Sequence, residues 1–216
     1  MIIHGARRSP LIALLVLLFA GSGAAAGDIA PIVADLGHKW ASANYQTGKN
    51  RQESAFKSLV DEVARAVVAN PDQAPLLAWQ GIILSSYAGA KGGFGAISVA
   101  EEALKSLEAA AAIDEQALAG GIDTSIGALY YKVPGWPLGF GNDNKAEAYL
   151  LKGLAINPAG IDENYFFADF LIGQGEKKKA KTYLEKALNA PPRPGREDAD
   201  LGRRQEIQAV LDQLNS

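Results

Sequence analysis

The stretches NKAEAYLLKGLAINP at residues 144–158 and KKAKTYLEKALNAPP at residues 178–192 decide the fold. Four positions of the first stretch recur 34 residues later in the second: Ala146 as Ala180, Leu150 as Leu184, Gly153 as Ala187 and Pro158 as Pro192. Small residues on either side of a leucine form one helical face that a neighbouring helix can approach closely. The proline comes just after the helix, where it stops further winding.

An earlier copy of the pattern, made of Ala103, Leu107 and Ala110, precedes the corresponding residues of the 144–158 stretch by 43 positions. The nine residues by which this spacing exceeds the period fall within 132–142, where prolines and glycines exclude a helix. A fourth, weaker copy ends at the Ala69-Asn70-Pro71 sequence. We predict partner helices between the copies, around 76–87, 123–131 and 164–173, with small contact points at Gly81, Gly127 and Ala168.

A 34-residue unit of two helices with this pattern resembles the tetratricopeptide repeat (TPR). The resemblance is clearest over residues 144–192, and looser copies extend it back to about residue 55. The fold class that it implies is all-α, a tetratricopeptide-like α-solenoid of three to four helix pairs.

The two ends of the chain predict helices that cap the repeats. Residues 197–214 form an amphipathic pattern that can cover the last repeat as a C-terminal capping helix. Its apolar stripe consists of Leu201, Ile207, Val210, Leu211 and Leu214. Residues 29–45 predict a less regular opening helix, which contains Gly37.

Residues 1–26 show the three parts of a secretory signal peptide. Arg7 and Arg8 give a positive start, residues 11–20 are apolar, and 24–26 supply an A-x-A cleavage site. The alternative is an uncleaved anchor, but the apolar run is shorter than the ~20 residues that a spanning helix needs. We therefore predict a single helical repeat domain over residues 27–216 in a periplasmic protein.

Composition excludes several kinds of site. The 216 residues include no cysteine, which removes disulfides, zinc-thiolate sites, cysteine nucleophiles and the cysteine that carries a lipid anchor. Of the two histidines, His4 lies in the signal peptide, so imidazole chemistry would depend on His38 alone. We predict no enzyme activity, no cofactor and no metal site. A net charge of -3 makes the chain a poor candidate for binding phosphate backbones, which calls for a basic face, so we exclude nucleic acid as a partner.

The segment from Tyr130 to Gly141 is rich in aromatic side chains although its second part is a loop. Loops between helices are usually short and polar, so Trp136 and Phe140 must pack against their own repeat or be covered by a partner. The two alternatives remain open. Aromatic side chains are common in interfaces and ligand grooves, which makes this segment the first candidate for a binding surface.

A second glycine-rich segment, residues 89–95, lacks the features of a phosphate-binding loop, and we interpret it as a turn from which Phe94 could reach the same surface. Asp169 lies on a helical face with Phe166, Phe170 and Gly173, where a buried acid needs a partner such as Lys132 or Arg193. Asp162 and Glu163 precede a helix, where acidic residues are favoured.

Four stretches are more specific: WQGIILSSYAGAK at 79–91, GALYYKVPGWPLGFG at 127–141, NPAGIDENYF at 157–166 and APPRPG at 190–195. Together they resemble the T-component of tetratricopeptide-associated TRAP (tripartite ATP-independent periplasmic) transporters. The resemblance implies a periplasmic helical scaffold that works with a TRAP-type solute-binding protein. It also implies a lipoprotein that can assemble as a homotrimer. This chain departs from the lipoprotein, because it has no cysteine to carry the lipid.

The leading hypothesis is an exported binding module that contacts a solute-binding protein, an apolar small-molecule ligand or both. Its candidate binding residues are Tyr130, Tyr131, Lys132, Trp136, Phe140, Tyr165 and Asp169. The alternative hypothesis is a general envelope-assembly scaffold that recognises peptides in its concave groove.

Overall fold

A computed structural model describes residues 28–215, so the predicted signal peptide lies outside the described residues. This part of the chain forms nine α-helices and contains no strand. The helices are α1 (Ala30–Ala41), α2 (Lys49–Ala69), α3 (Ala74–Lys91), α4 (Gly95–Asp114), α5 (Gly121–Lys132), α6 (Asp143–Ile156), α7 (Ile161–Gly173), α8 (Lys177–Leu188) and α9 (Glu197–Asn215). A π-helical turn, Ser42–Gln46, continues α1. No helix within residues 28–215 is both long enough and apolar enough to cross a membrane.

Three helix pairs are stacked in chain order. Helix α3 packs against α4, α5 against α6, and α7 against α8, while α1 and α2 precede the stack and α2 packs on α3. This arrangement confirms the all-α, tetratricopeptide-like solenoid, and the loop predicted within 132–142 separates α5 from α6.

The repeated small–leucine–small positions face the partner helices, as predicted. All of them are buried: Ala103, Leu107, Ala110, Ala146, Leu150, Gly153, Ala180, Leu184 and Ala187. The predicted glycine contacts explain how closely the helices approach. A Cβ added at Gly127 would lie 2.7 Å from Leu150 Cγ, and one added at Gly81 would overlap Leu107. A methyl group at either position would therefore force the two helices of its pair apart.

The sequence spacing Asn144-x-x-Glu147 predicts a capping box at the start of α6, and the structure differs from it. Asn142 is the N-cap instead, and its side-chain oxygen accepts a hydrogen bond from the Lys145 backbone N–H at 2.9 Å. The backbone of Asn142 is held against the preceding helix, because its N–H donates a hydrogen bond to the Tyr130 carbonyl of α5 at 2.8 Å. The extended backbone of Asn142 ends the loop there, so α6 begins earlier than the sequence pattern indicated.

Helix α9 does more than cover the last repeat. It packs on α8 and α7, and it also contacts α1 and the π-helical turn at the other end of the described chain. His38 Nδ1 lies 3.0 Å from Asp198 Oδ2, and the Tyr45 hydroxyl donates to Glu206 at 3.4 Å. These contacts join the first and last helices and close one side of the concave surface.

The apolar stripe predicted for α9 is only partly correct. Ile207 and Leu211 are buried and Val210 and Leu214 are half-buried, but Leu201 is 62% exposed. The buried face of α9 includes Arg203 instead, because this helix also packs against charged side chains from α7.

Candidate binding groove and aromatic loop

A cavity of about 1250 Å³ is lined in part by the first helix of each pair, α3, α5 and α7, and we call it the groove. Its lining comes from α1 to α5, α7, the loop after α5 and the segment 193–203. Large apolar side chains in this lining are Trp40, Phe56, Trp79, Ile82, Phe94, Ile97, Leu129, Leu138 and Phe166. The groove is larger than the ~300–1,000 Å³ typical of small-molecule sites, and apolar lining is typical of such sites.

The charged side chains of the groove are mostly cationic. They comprise five basic residues, Lys49, Lys132, Arg193, Arg196 and Arg203, and two acidic ones, Asp162 and Glu163. The whole chain carries a net charge of -3, so the balance in the groove is opposite in sign to that of the protein. An anionic ligand is therefore favoured only at those groove cations that no carboxylate of the protein pairs with.

Asp162 holds two of the arginines in place. Its carboxylate accepts hydrogen bonds from Arg193 Nη1 at 2.6 Å and from Arg203 Nε at 2.8 Å. Burial alone would raise the pKa of Asp162, but Arg203 and Arg193 outweigh burial and hold the pKa well below its usual range. The position in the first turn of α7 was predicted, but the main role of this residue is an ion pair with the segment that leads into α9.

Each of these two arginines also has a second carboxylate partner. Arg193 Nη2 lies 2.7 Å from Asp200, and Arg203 Nη1 lies 2.6 Å from Glu206. Their positive charges are therefore balanced within the protein, and they act mainly to fasten α9.

Arg196 is different from its two neighbours. Its guanidinium lies over the Trp79 ring, 5.0 Å from the centroid, in a cation–π contact. Its Nε is buried without a hydrogen-bond partner among the described residues. Burial and the adjacent charge of Arg193 lower its pKa, although an arginine remains charged at neutral pH. Arg196 is thus a groove cation that pairs with no carboxylate within residues 28–215.

Glu163 and Thr124 add buried polar groups to the groove lining. Glu163 is 5% exposed, and burial together with the neighbouring Asp162 raises its pKa to about 7. The Thr124 hydroxyl is buried without a hydrogen-bond partner in the described part of the chain. Near neutral pH the groove therefore contains a carboxyl group that is only partly ionised.

The loop after α5, residues 133–142, is the aromatic loop. Its two large aromatic side chains behave differently: Trp136 is 90% exposed, whereas Phe140 is half-buried with its ring 5.7 Å from that of Tyr130. Leu138 is 59% exposed and lines the groove together with Phe94, which is 84% exposed. Phe140 therefore packs on its own repeat, and Trp136 does not.

The structure brings three predicted site residues together. Asp169 accepts a hydrogen bond from the Tyr131 hydroxyl at 2.6 Å and pairs with Lys132 Nζ at 2.6 Å. Of the two candidate partners of Asp169, Lys132 and Arg193, the structure shows the pair with Lys132. Burial, followed by the charge of Asp169, raises the pKa of the Tyr131 hydroxyl well above its usual value.

The remaining predicted residues lie apart from that group. Tyr130 is buried and stacks on Tyr149 at 5.8 Å. Tyr165 is half-buried under Arg203, whose guanidinium lies 4.2 Å from the ring centroid. Of the seven predicted residues, only Lys132 lines the groove.

Sequence reasoning missed two arginines of the groove, Arg196 and Arg203. Arg203 lies outside the apolar stripe predicted for α9, but it is buried and pairs across to α7. One available signal was the spacing of Arg196 and Arg203, seven residues apart at the start of a helix, which places both on the same side.

Chemistry at His38 has little support in the geometry, since its ring is half exposed at the junction of α1 and α9 and pairs with Asp198. Within residues 28–215, no group of three or more His, Asp or Glu side chains is arranged to hold a metal ion.

Comparisons with known proteins give few matches. No family model matches the chain, and no curated protein sequence matches it. Among solved structures, the chain is similar to the crystal structure of a thermophilic TPR protein in Thermus thermophilus. The TM-score is 0.44 and the identity 17%, with 84% of this chain and 98% of the other covered.

Proposed function

We propose that this chain is a periplasmic binding module that acts as an accessory of TRAP-type solute uptake and contacts a solute-binding protein. The observation that carries the proposal is the exposure of three large apolar side chains, Phe94, Trp136 and Leu138, of which Phe94 and Leu138 line the groove. Large exposed aromatic side chains are uncommon on monomeric proteins and are typical of interface anchors. The resemblance of the aromatic-loop sequence to TRAP T-components supplies the identity of the partner.

The proposal also covers location and assembly. Export rests on the pattern of residues 1–26, and the absence of cysteine from the sequence favours a protein without a lipid anchor. A homotrimer is proposed from the family resemblance.

The test is co-purification from an envelope extract, followed by binding of the purified partner. We expect the protein to capture a TRAP-type solute-binding protein and Trp136→Ala to weaken this binding at least about tenfold, as for a hot-spot residue. The matched control is Val68→Ala, since Val68 is 82% exposed on α2 and lies outside the groove. Failure to capture a solute-binding protein, or equal binding by both variants, would refute the proposal.

A second function, recognition of peptides by an envelope-assembly scaffold, is favoured by the size of the groove on the concave side. It predicts that unstructured envelope peptides compete for the groove and that Trp136→Ala has little effect. TRAP permease genes beside the gene for this chain would favour the first function, and cell-wall or outer-membrane genes the second.

A further inference from the structure

Arg196 lies at the junction where α9 closes the groove. It immediately precedes α9, and its Cδ would lie 3.6 Å from a Cβ added at Gly37 of α1. Two residues further on, Asp198 pairs with His38 of α1. Arg196 therefore lies where the contact between the first and last helices bounds the groove, and we call this side of the groove the blind end.

Arg196 lines the groove at this blind end. Arg193 and Arg203 share Asp162, and they pair separately with Asp200 and Glu206. Arg196 has no ion pair of this kind in the described part of the chain, and its Nε has no hydrogen-bond partner. A buried donor without a partner is uncommon in proteins and calls for a specific explanation.

The surroundings of Arg196 indicate what the ligand looks like. The guanidinium is planar and presents parallel N–H donors that match the two oxygens of a carboxylate. Next to it, Trp79 packs near Trp40 with the ring centroids 6.3 Å apart, and both rings line the groove. The lining also includes Ile82, Ile97 and Leu129. These surroundings match a ligand that has one anionic group for Arg196 and an apolar body.

We infer that the groove binds a small amphiphilic carboxylate, whose carboxylate pairs with Arg196 and whose apolar body lies against Trp79 and the rest of the apolar lining. This inference goes beyond the proposed function: it concerns the apolar small-molecule ligand that the sequence analysis offered beside the solute-binding protein, and it does not depend on that protein. A cation that lies over Trp79 beside the apolar lining favours a small molecule with one charged end over a peptide that runs along the whole groove.

The experiment measures binding of octanoate, with 1-octanol as an uncharged probe of the same chain length. Titration calorimetry gives the affinities, and quenching of tryptophan fluorescence in a Trp136→Phe background reports on Trp40 and Trp79. The variant is Arg196→Gln. The matched control is Arg65→Gln, because Arg65 is exposed on α2 and lies outside the groove.

We expect octanoate to bind the wild-type protein about tenfold or more tightly than 1-octanol. Arg196→Gln should weaken octanoate binding about 10–100-fold, as expected for loss of a charge-assisted hydrogen bond, and should leave 1-octanol binding unchanged. Arg65→Gln should bind both probes like the wild type. Arg196→Lys should have an intermediate affinity, since lysine keeps the charge but loses the planar fork.

Equal affinity of the wild-type protein for octanoate and 1-octanol would overturn the inference. This comparison needs no variant, so the inference can be tested even if Arg196→Gln does not fold. Unchanged octanoate binding in a folded Arg196→Gln protein would also overturn it. So would binding of peptides with a free carboxylate combined with no binding of octanoate. Capture of the solute-binding protein by Arg196→Gln separates the two proposals, because that interaction is expected to depend on Trp136 and not on Arg196.

Discussion

Replacing Asp162 with asparagine keeps the shape of the side chain but removes the carboxylate that Arg193 and Arg203 share. Removing one partner of a buried ion pair typically costs about 3–5 kcal/mol of unfolding free energy. Here each arginine keeps a second carboxylate, Asp200 or Glu206, so we expect a loss near the lower end, about 3 kcal/mol.

The pH dependence of this loss has a defined sign. The pKa of Asp162 is lower in the folded protein than the value of about 3.9 in an unfolded chain. The carboxylate therefore stabilises the fold fully above that unfolded value, and the contribution decreases as the pH falls towards the folded pKa. The difference between wild type and Asp162→Asn should be about 1 kcal/mol smaller at pH 3 than at pH 7, since one pH unit corresponds to about 1.4 kcal/mol.

Urea unfolding at pH 7 and pH 3 measures both quantities. Asp61→Asn is the matched control, because Asp61 is exposed on α2 and its contact with Lys57 is 3.9 Å long, so its effect should stay below about 0.5 kcal/mol. A loss below about 1 kcal/mol for Asp162→Asn at pH 7 would refute the reasoning, as would a difference that does not change between the two pH values.

The remaining predictions concern helix packing and Glu163. Gly127→Ala should destabilise the protein by about 1–3 kcal/mol because the new methyl group meets Leu150, whereas Gly89→Ala, where an added Cβ meets no atom within 4 Å, should stabilise α3 by about 0.5–1 kcal/mol. Urea unfolding of the two variants checks this contrast, and effects of the same sign would contradict it. Glu163 has a folded pKa of about 7 against an ordinary value of 4.5, so the fold binds an extra proton between these values and loses stability as the pH rises through them. Glu163→Gln should remove this loss. In thermal unfolding at pH 5 and pH 8, the stability of the variant relative to the wild type should therefore be higher at pH 8. The same stability difference at both pH values would argue against a raised pKa of Glu163.

The helix pairs could be predicted from the sequence because their contacts are encoded locally and repeated. Leu107, Leu150 and Leu184 each have a small residue one turn away on either side, and all three are fully buried. Gly81 and Gly127 supply the matching small positions on the partner helices. A helical face made in this way specifies its neighbour without reference to distant parts of the chain.

The aromatic loop shows where composition alone was insufficient. Trp136 and Phe140 are four residues apart in a segment that cannot be helical, and nothing in their spacing assigns either one to the core. The structure places Phe140 against Tyr130 and leaves Trp136 exposed. This difference depends on the path of the loop back to Asn142, which is set by a backbone hydrogen bond to the end of α5.

The closed end of the groove was not predictable for a different physical reason. An amphipathic pattern indicates that α9 buries one face, but not how many surfaces it meets. Contact with α1 depends on the curvature of the whole stack, which is the sum of small rotations between successive helix pairs. The pairing of Arg203 with Asp162 joins residues 41 positions apart, so it follows from that curvature and not from a local pattern.

The segment 193–203 therefore connects the stability of the fold to the chemistry of the groove. Arg193 and Arg203 fasten α9 through Asp162, and α9 in turn places Arg196 over Trp79 at the blind end. A carboxylate that binds Arg196 should stabilise the native state by mass action, since the unfolded chain has no such site. Octanoate at 100 times its dissociation constant should raise the unfolding free energy of the wild type by about 2.7 kcal/mol, and this increase should be much smaller in Arg196→Gln at the same concentration.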